Sequence, residues 1–173
     1  GEASDYAMMT LRLGEKINQP KARAMAYSDL SNLFWKQNKF VKGLEYGLKS
    51  ISIFDSIGIN DLDYDFTLYV VGNNYLKLKK YTQALNYYNR SIKMGEQYGF
   101  YNNLSDVYIS ITDLHTYLKN FRLANSAGQN ALKYAELLEN NFMLMRSWLS
   151  IGIMRNEEQQ FRPAVESLQK SIT

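Results

Sequence analysis

The sequence contains no cysteine, one histidine and only two prolines in 173 residues. Without cysteine there is no disulfide framework and no thiolate metal site. That absence leaves the compartment open between cytoplasm and periplasm, because exported helical domains also do without it. His115 has no Cys or His companion, so it cannot complete a metal set or a catalytic triad, and a hydrogen-bonded packing role is the expectation. No run of about 18 apolar residues occurs, so no membrane insertion by this segment is expected. The start, "GEASDYAMM", also lacks the layout of a signal peptide. Charge of one sign is equally scarce. Twenty Lys and Arg face 17 Asp and Glu, for a formal net charge of +3. With no basic run, this argues against nucleic acid as a partner of this segment. Gly14, Gly43 and Gly47 fall inside helical periodicity rather than in a phosphate-binding loop. Two prolines, Pro20 and Pro163, leave long periodic segments unbroken, which points to an all-α protein.

What is present is apolar side chains, 46% of the chain, laid out in a repeat. The aromatic anchors Phe40, Tyr81, Phe121 and Phe161 are spaced by 41, 40 and 40 residues. Ten residues before each anchor stands Leu30, Val71, Ile111 or Ile151. Three after it stands Gly43, Ala84, Ala124 or Ala164, and ten after it Ser50, Ser91, Ala131 or Ser171. Before the anchors, apolar residues recur at helical spacing, as in Tyr27, Leu30 and Phe34 or Leu68, Val71 and Tyr75. After them the periodicity resumes as a second helix. Its small residues lie two turns apart, where a larger side chain would push two helices apart. Each repeat therefore reads as an antiparallel pair, helix A then helix B, and pairs must stack to bury both faces.

The expected layout is one domain over 1–173. An orphan B helix at 3–17 is followed by pairs at 20–57, 62–98, 101–139 and 141–172. Gly58 and Gly99, with Asn18 and Asn140 as substitutes, suit the left-handed residue that closes a helix. The orphan helix and the short last helix suggest a fragment of a longer protein. Uncapped ends then offer a route to weak self-association.

These residues resemble the tetratricopeptide repeat family. The second repeat carries the pattern most fully: Leu68, Val71-Gly72, Tyr75, Tyr81, Ala84, Tyr88 and Ser91. The fourth follows with Trp148, Ile151-Gly152, Phe161, Ala164, Leu168 and Ser171. Gly47 and Gly128 replace the second B-helix aromatic, and His115 and Arg155 replace the helix-A tyrosine. The family period is about 34 residues, whereas here it is 40–41. Such long repeats are similar to those of bacterial sensory and regulatory proteins, including pheromone-sensing regulators and sensor regions of histidine kinases.

The resemblance implies a right-handed superhelical solenoid. It also implies a non-enzymatic protein- or peptide-binding scaffold without a cofactor, using a concave groove lined by A helices. The groove positions lie about fifteen, twelve, eight, five and four residues before each anchor. They hold Met25, Ser28, Asn32, Trp35 and Lys36 in the first repeat, and Phe66, Tyr69, Asn73, Leu76 and Lys77 in the second. The third supplies Asp106, Ile109, Asp113, Thr116 and Tyr117, and the fourth Arg146, Leu149, Ile153, Asn156 and Glu157. Asn32 and Asn73 recur at one position and could clamp a ligand's backbone amide. Lys36 and Lys77 also recur, and complementing the negative end of helix A explains them better than an acidic ligand. Asp106 and Ile109 spoil the family's carboxylate clamp for chaperone tails.

Two other chemistries are set aside. "NDLDYD" at 60–65 resembles the start of a calcium loop, but its sixth position is Phe66 and its twelfth Gly72. Those acids are better read as helix-capping residues. Glu157 and Glu158 point to different helix faces and do not form an acid–base pair. The 14 Tyr and 8 Phe fall mostly on the packing stripe, which favours core over base stacking. The leading expectation is a binding scaffold. The alternative is a ligand-sensing segment of a larger bacterial signalling protein.

Overall fold

The computed structural model describes residues 8, 9, 12, 13, 16 and 18–171, apart from the Asn102 side chain. Most of the expected orphan helix at 3–17 lies outside them. Eight helices follow: α1 Pro20–Lys36, α2 Phe40–Ile57, α3 Leu62–Lys77, α4 Tyr81–Tyr98, α5 Tyr101–Tyr117, α6 Phe121–Leu137, α7 Asn141–Glu157 and α8 Phe161–Lys170. The described residues contain no strand. The fold is all-α, and the chain forms two compact units, Gly1–Tyr98 and Gly99–Thr173.

In the first unit each helix packs against the next in sequence, and the A helices α1 and α3 also pack side by side. The second unit repeats this scheme, with α5 and α7 as the adjacent A helices. The small residues sit at the tightest places. Ala84 and Ala124 are fully buried and Ala164 nearly so. A Cβ on Gly43 would lie 2.3 Å from the Asn74 amide oxygen, so a larger residue there would have to displace the Asn74 side chain.

In the first three repeats the position ten after the anchor also takes part in a hydrogen bond between the two helices. Ser50 donates to the Ala24 carbonyl at 2.7 Å, and Ser91 donates to the Asp65 carboxylate at 2.6 Å. In the third repeat the direction reverses, and Ser105 donates to the Ala131 carbonyl at 3.1 Å. Each bond joins helix A to helix B of its own repeat over the same span of 26 residues. Asp65, which the sequence groups with capping acids, is instead fully buried within this brace. Asp61 is the true cap, accepting from the Tyr64 N–H at 3.1 Å. Lys21 bridges Asp61 and Asp63 at 2.8 and 3.3 Å.

The A-to-B turns are alike in all four repeats. Asn38, Lys79, Lys119 and Gln159 take left-handed φ values of 58–65°. The following N–H reaches back to the carbonyl five residues earlier, as Lys39 to Phe34 at 2.8 Å and Asn120 to His115 at 2.8 Å. This is a Schellman ending built without glycine. Gly58, Gly99 and Asn18 are left-handed as expected. Asn140 is not. Glu139 takes the left-handed place with φ 49°, and Asn140 starts the next helix by accepting from the Met143 N–H at 3.1 Å. An Asx side chain satisfies an orphan helix N–H, and that outweighs its tolerance of the left-handed region here.

Candidate binding faces on the A helices

The groove positions of the first unit lie on α1 and α3. Met25 is exposed, and Asn32, Trp35, Phe66, Tyr69 and Leu76 are half-buried. Phe66 and Tyr69 stand with ring centroids 6.4 Å apart. Ser28 is buried and accepts from the Thr67 hydroxyl at 2.9 Å, so it belongs to the contact between α1 and α3. Lys36 and Lys77 are exposed in the last turns of their helices. There each ammonium complements the partial negative charge of the free carbonyls.

Asn73 departs from the expectation of a ligand clamp. It is 7% exposed, and its Oδ1 accepts the Tyr88 hydroxyl at 2.7 Å. Tyr88 is fully buried, and its hydroxyl needs a partner once it leaves water. The carbonyl end of Asn73 thus serves the α3–α4 pair. Asn32, at the same repeat position, remains half-buried.

In the second unit the positions on α5 and α7 converge. A depression of about 420 Å³ is lined by Asp113, Thr116, Tyr117, Lys119, Ile153 and Glu157. Its walls are apolar: Tyr117 is 62% and Ile153 49% exposed. Asp106 on α5 pairs with Arg146 on α7, and Lys119, in the turn after α5, pairs with Glu157 at the end of α7. Arg146 also lies over the Phe142 ring, 5.7 Å from its centroid. Partly exposed pairs add little stability, and their effect is to fix the orientation of the side chains. Between them Ser150 donates to Asp113 at 2.6 Å. Thr116 is buried and returns its hydroxyl to the Thr112 carbonyl at 2.8 Å. Ile109 is buried, and Leu149, Asn156 and Glu157 are exposed.

Lys119 escaped the sequence reading because it sits in the left-handed turn, outside the helical period. A polar residue two before every anchor was the available signal. His115 also differs from its expected hydrogen-bonded role. It is half-buried, and its Nδ1 is buried without a hydrogen-bond partner. Burial holds its pKa below the ordinary value near 6.5.

A second depression, about 330 Å³, lies on the first unit near Asp55, Tyr64 and Arg90. Tyr64 donates to Asp55, and Arg90 approaches both, 3.4 Å from the Asp55 carboxylate. Burial and the Asp55 hydrogen bond push the Tyr64 phenol well above its ordinary value. The three side chains satisfy one another, which makes this a strut between helices. Among the described residues no cluster of three His, Asp or Glu could hold a metal ion. No described helix is long and apolar enough to cross a membrane.

The repeated helix pair, the buried small residues and the aromatic anchors agree with a family-model match over residues 22–97, described as tetratricopeptide repeat. Repeats of this family are generally protein-interaction scaffolds. A sequence relative is the mitochondrial import receptor subunit TOM70 of Saccharomyces cerevisiae, 41% identical over 51 residues. That stretch is 30% of this chain and 8% of TOM70. Among solved structures, BtubC from P. vanneervenii matches with TM-score 0.80 at 16% identity, over 88% of this chain and 63% of that one. Aspartyl phosphate phosphatase F from Bacillus subtilis matches with TM-score 0.76 at 15% identity, over 97% of this chain and 53% of that one. The chain thus spans less than two thirds of each of these proteins. At such identities the two structures share the fold of this protein.

Proposed function

We propose that this chain is a non-enzymatic binding module, part of a longer repeat array, that holds a peptide segment or helix of a protein partner on its A-helix faces. The observation that carries this reading is the α5–α7 depression, where exposed Tyr117 and Ile153 stand beside hydrogen-bonded, oriented polar groups. Large apolar side chains left in water beside fixed polar ones supply both affinity and register for an extended ligand. Met25, Asn32, Trp35, Phe66 and Tyr69 form the corresponding surface on the first unit. The module needs no cofactor, and its partner is a protein rather than nucleic acid.

Peptides selected from a random display library test this. Tyr117→Ala with Ile153→Ser should weaken the selected peptides at least about tenfold, the scale of losing one buried aromatic anchor. Val41→Ser, on an exposed B-helix position, should leave them unchanged. Equal binding by all three proteins would remove the A-helix face from the site.

A second reading is favoured by the fold shared with the Bacillus phosphatase. It makes the chain a ligand-sensing segment of a larger bacterial signalling protein. The gene beyond Thr173 decides it: a kinase or DNA-binding segment supports the reading, and an immediate stop codon sinks it.

A further inference from the structure

We propose that another depression of the second unit, beside the turn between α7 and α8, binds a carboxylate side chain of an acidic protein segment. It holds about 350 Å³ and is lined by Arg122 and Asn125 of α6, Arg155 of α7, and Glu158 and Gln160 of the turn. None of these residues occupies a groove position, so the inference stands apart from the A-helix face. Two guanidinium groups face one carboxylate in the lining, and its formal charge is positive.

Arg155 is held in place. It is half-buried, and its Nη1 donates to the Ser167 hydroxyl at 2.7 Å and to the Pro163 carbonyl at 3.3 Å. Ser167 is itself buried, so α8 fixes the guanidinium before any ligand arrives, which lowers the ordering cost of binding. Both bonds leave from Nη1. The Nε–Nη2 edge, one of those that fork onto a planar carboxylate, keeps its donors. Arg122 is exposed in the first turn of α6 and forms no hydrogen bond or ion pair among the described residues. Glu158 is half-buried and pairs with neither arginine. Two like charges therefore share one depression without a paired counter-ion, and a monoanion entering between them offsets their repulsion. A carboxylate suits this balance, whereas a phosphate dianion beside Glu158 would overshoot it. Asn125 and Gln160 add amide donors to the lining.

This chemistry is not part of the repeat. In place of Arg122, Asn125, Arg155 and Glu158, the corresponding positions of the first unit hold Val41, Leu44, Tyr75 and Leu78. Stacking of helix pairs proceeds there without a guanidinium, so the two arginines are an addition to the packing scheme.

The test uses three acetylated, amidated tripeptides, Ala-X-Ala with X as Glu, Gln or phosphoserine, titrated into the whole chain at constant ionic strength. The Nε–H signal of Arg155, assigned through Arg155→Lys, is the readout. The glutamate peptide should move it at a concentration about threefold or more below the glutamine peptide, and the phosphoserine peptide should bind no more tightly than glutamate. Arg122→Gln should weaken the glutamate peptide roughly threefold to tenfold, the scale of losing one charge-assisted contact. Glu158→Gln removes the competing carboxylate and should tighten it. Arg162→Gln makes the same change in net charge at an exposed position outside the lining and should leave binding unchanged. Glutamine binding as tightly as glutamate, equal losses from Arg122→Gln and Arg162→Gln, or no shift with any peptide overturns the inference. Phosphoserine binding about tenfold more tightly than glutamate overturns the choice of a carboxylate. All of these outcomes leave the A-helix face standing, because Tyr117→Ala with Ile153→Ser tests that face separately.

Discussion

The two units share one packing scheme and differ in what their A helices present to water. The first unit offers Asn32 with Lys36 and, on α3, the exposed Lys77 beside a buried Asn73. The second offers Asp113 with Tyr117 and Ile153 with Glu157 around an open depression. Inside, both repeat the same devices: small residues at the helix crossings, left-handed turns without glycine, and a polar brace from helix A to helix B. Features that recur in both units explain stacking. Features that differ mark where the surface is free to meet something else.

The strongest way to break this comparison is to overpack both interiors. Ala84→Leu in the first unit and Ala124→Leu in the second should each cost about 1–3 kcal/mol, because neither fully buried site can admit a longer side chain without moving a helix. Thermal unfolding should show similar losses. A neutral result in one unit only would mean that the units do not share a register.

The braces should separate the units more finely. Ser91→Ala removes a donor from the buried Asp65 carboxylate and should cost about 2 kcal/mol, within the range for hydrogen bonds to charged groups. Ser105→Ala removes a donor from the neutral Ala131 carbonyl and should cost about 1 kcal/mol. Chemical denaturation of the two variants checks the order, and equal costs would argue that Asp65 gains nothing special from Ser91.

The smallest expected effect is a pH response. Burial depresses the His115 pKa in the folded chain, so below about 6.5 the unfolded chain binds the proton more readily. Stability tied to His115 is therefore complete above pH 6.5 and declines as the pH falls toward its folded pKa. The same position in the first unit holds Phe34 and Tyr75, neither of which carries an imidazole. His115→Phe should flatten this part of the melting profile between pH 7.5 and 5. An unchanged profile would assign the response to other groups.

The stacking of helix pairs was legible in the sequence because it is written in side-chain size at fixed offsets. Gly43, Ala84, Ala124 and Ala164 needed only counting. The site was less legible, since its geometry depends on partners in different helices. Ser150 and Asp113 are 37 residues apart, and Lys119 and Glu157 are 38 apart. No helical period marks such pairs. Asn73 shows the same limit. Its position and recurrence resemble those of Asn32, yet the demand of a buried Tyr88 hydroxyl turns it inward. Asp65 was similarly hidden, because a carboxylate in a first helical turn reads as a cap until Ser91 is seen beside it.

The uniform A-to-B turn has a consequence for changing the length of such a protein. Each turn spans three residues between helices, at 37–39, 78–80, 118–120 and 158–160, and each is closed by the same backward hydrogen bond. An inserted residue there would break that ring. The B-to-A joints differ, with four residues at 58–61, two at 99–100 and three at 138–140. The repeat therefore has one rigid hinge and one adjustable seam. Tags, reporter loops or extra turns of helix should be grafted at the seam, where the molecule already varies its own dimensions.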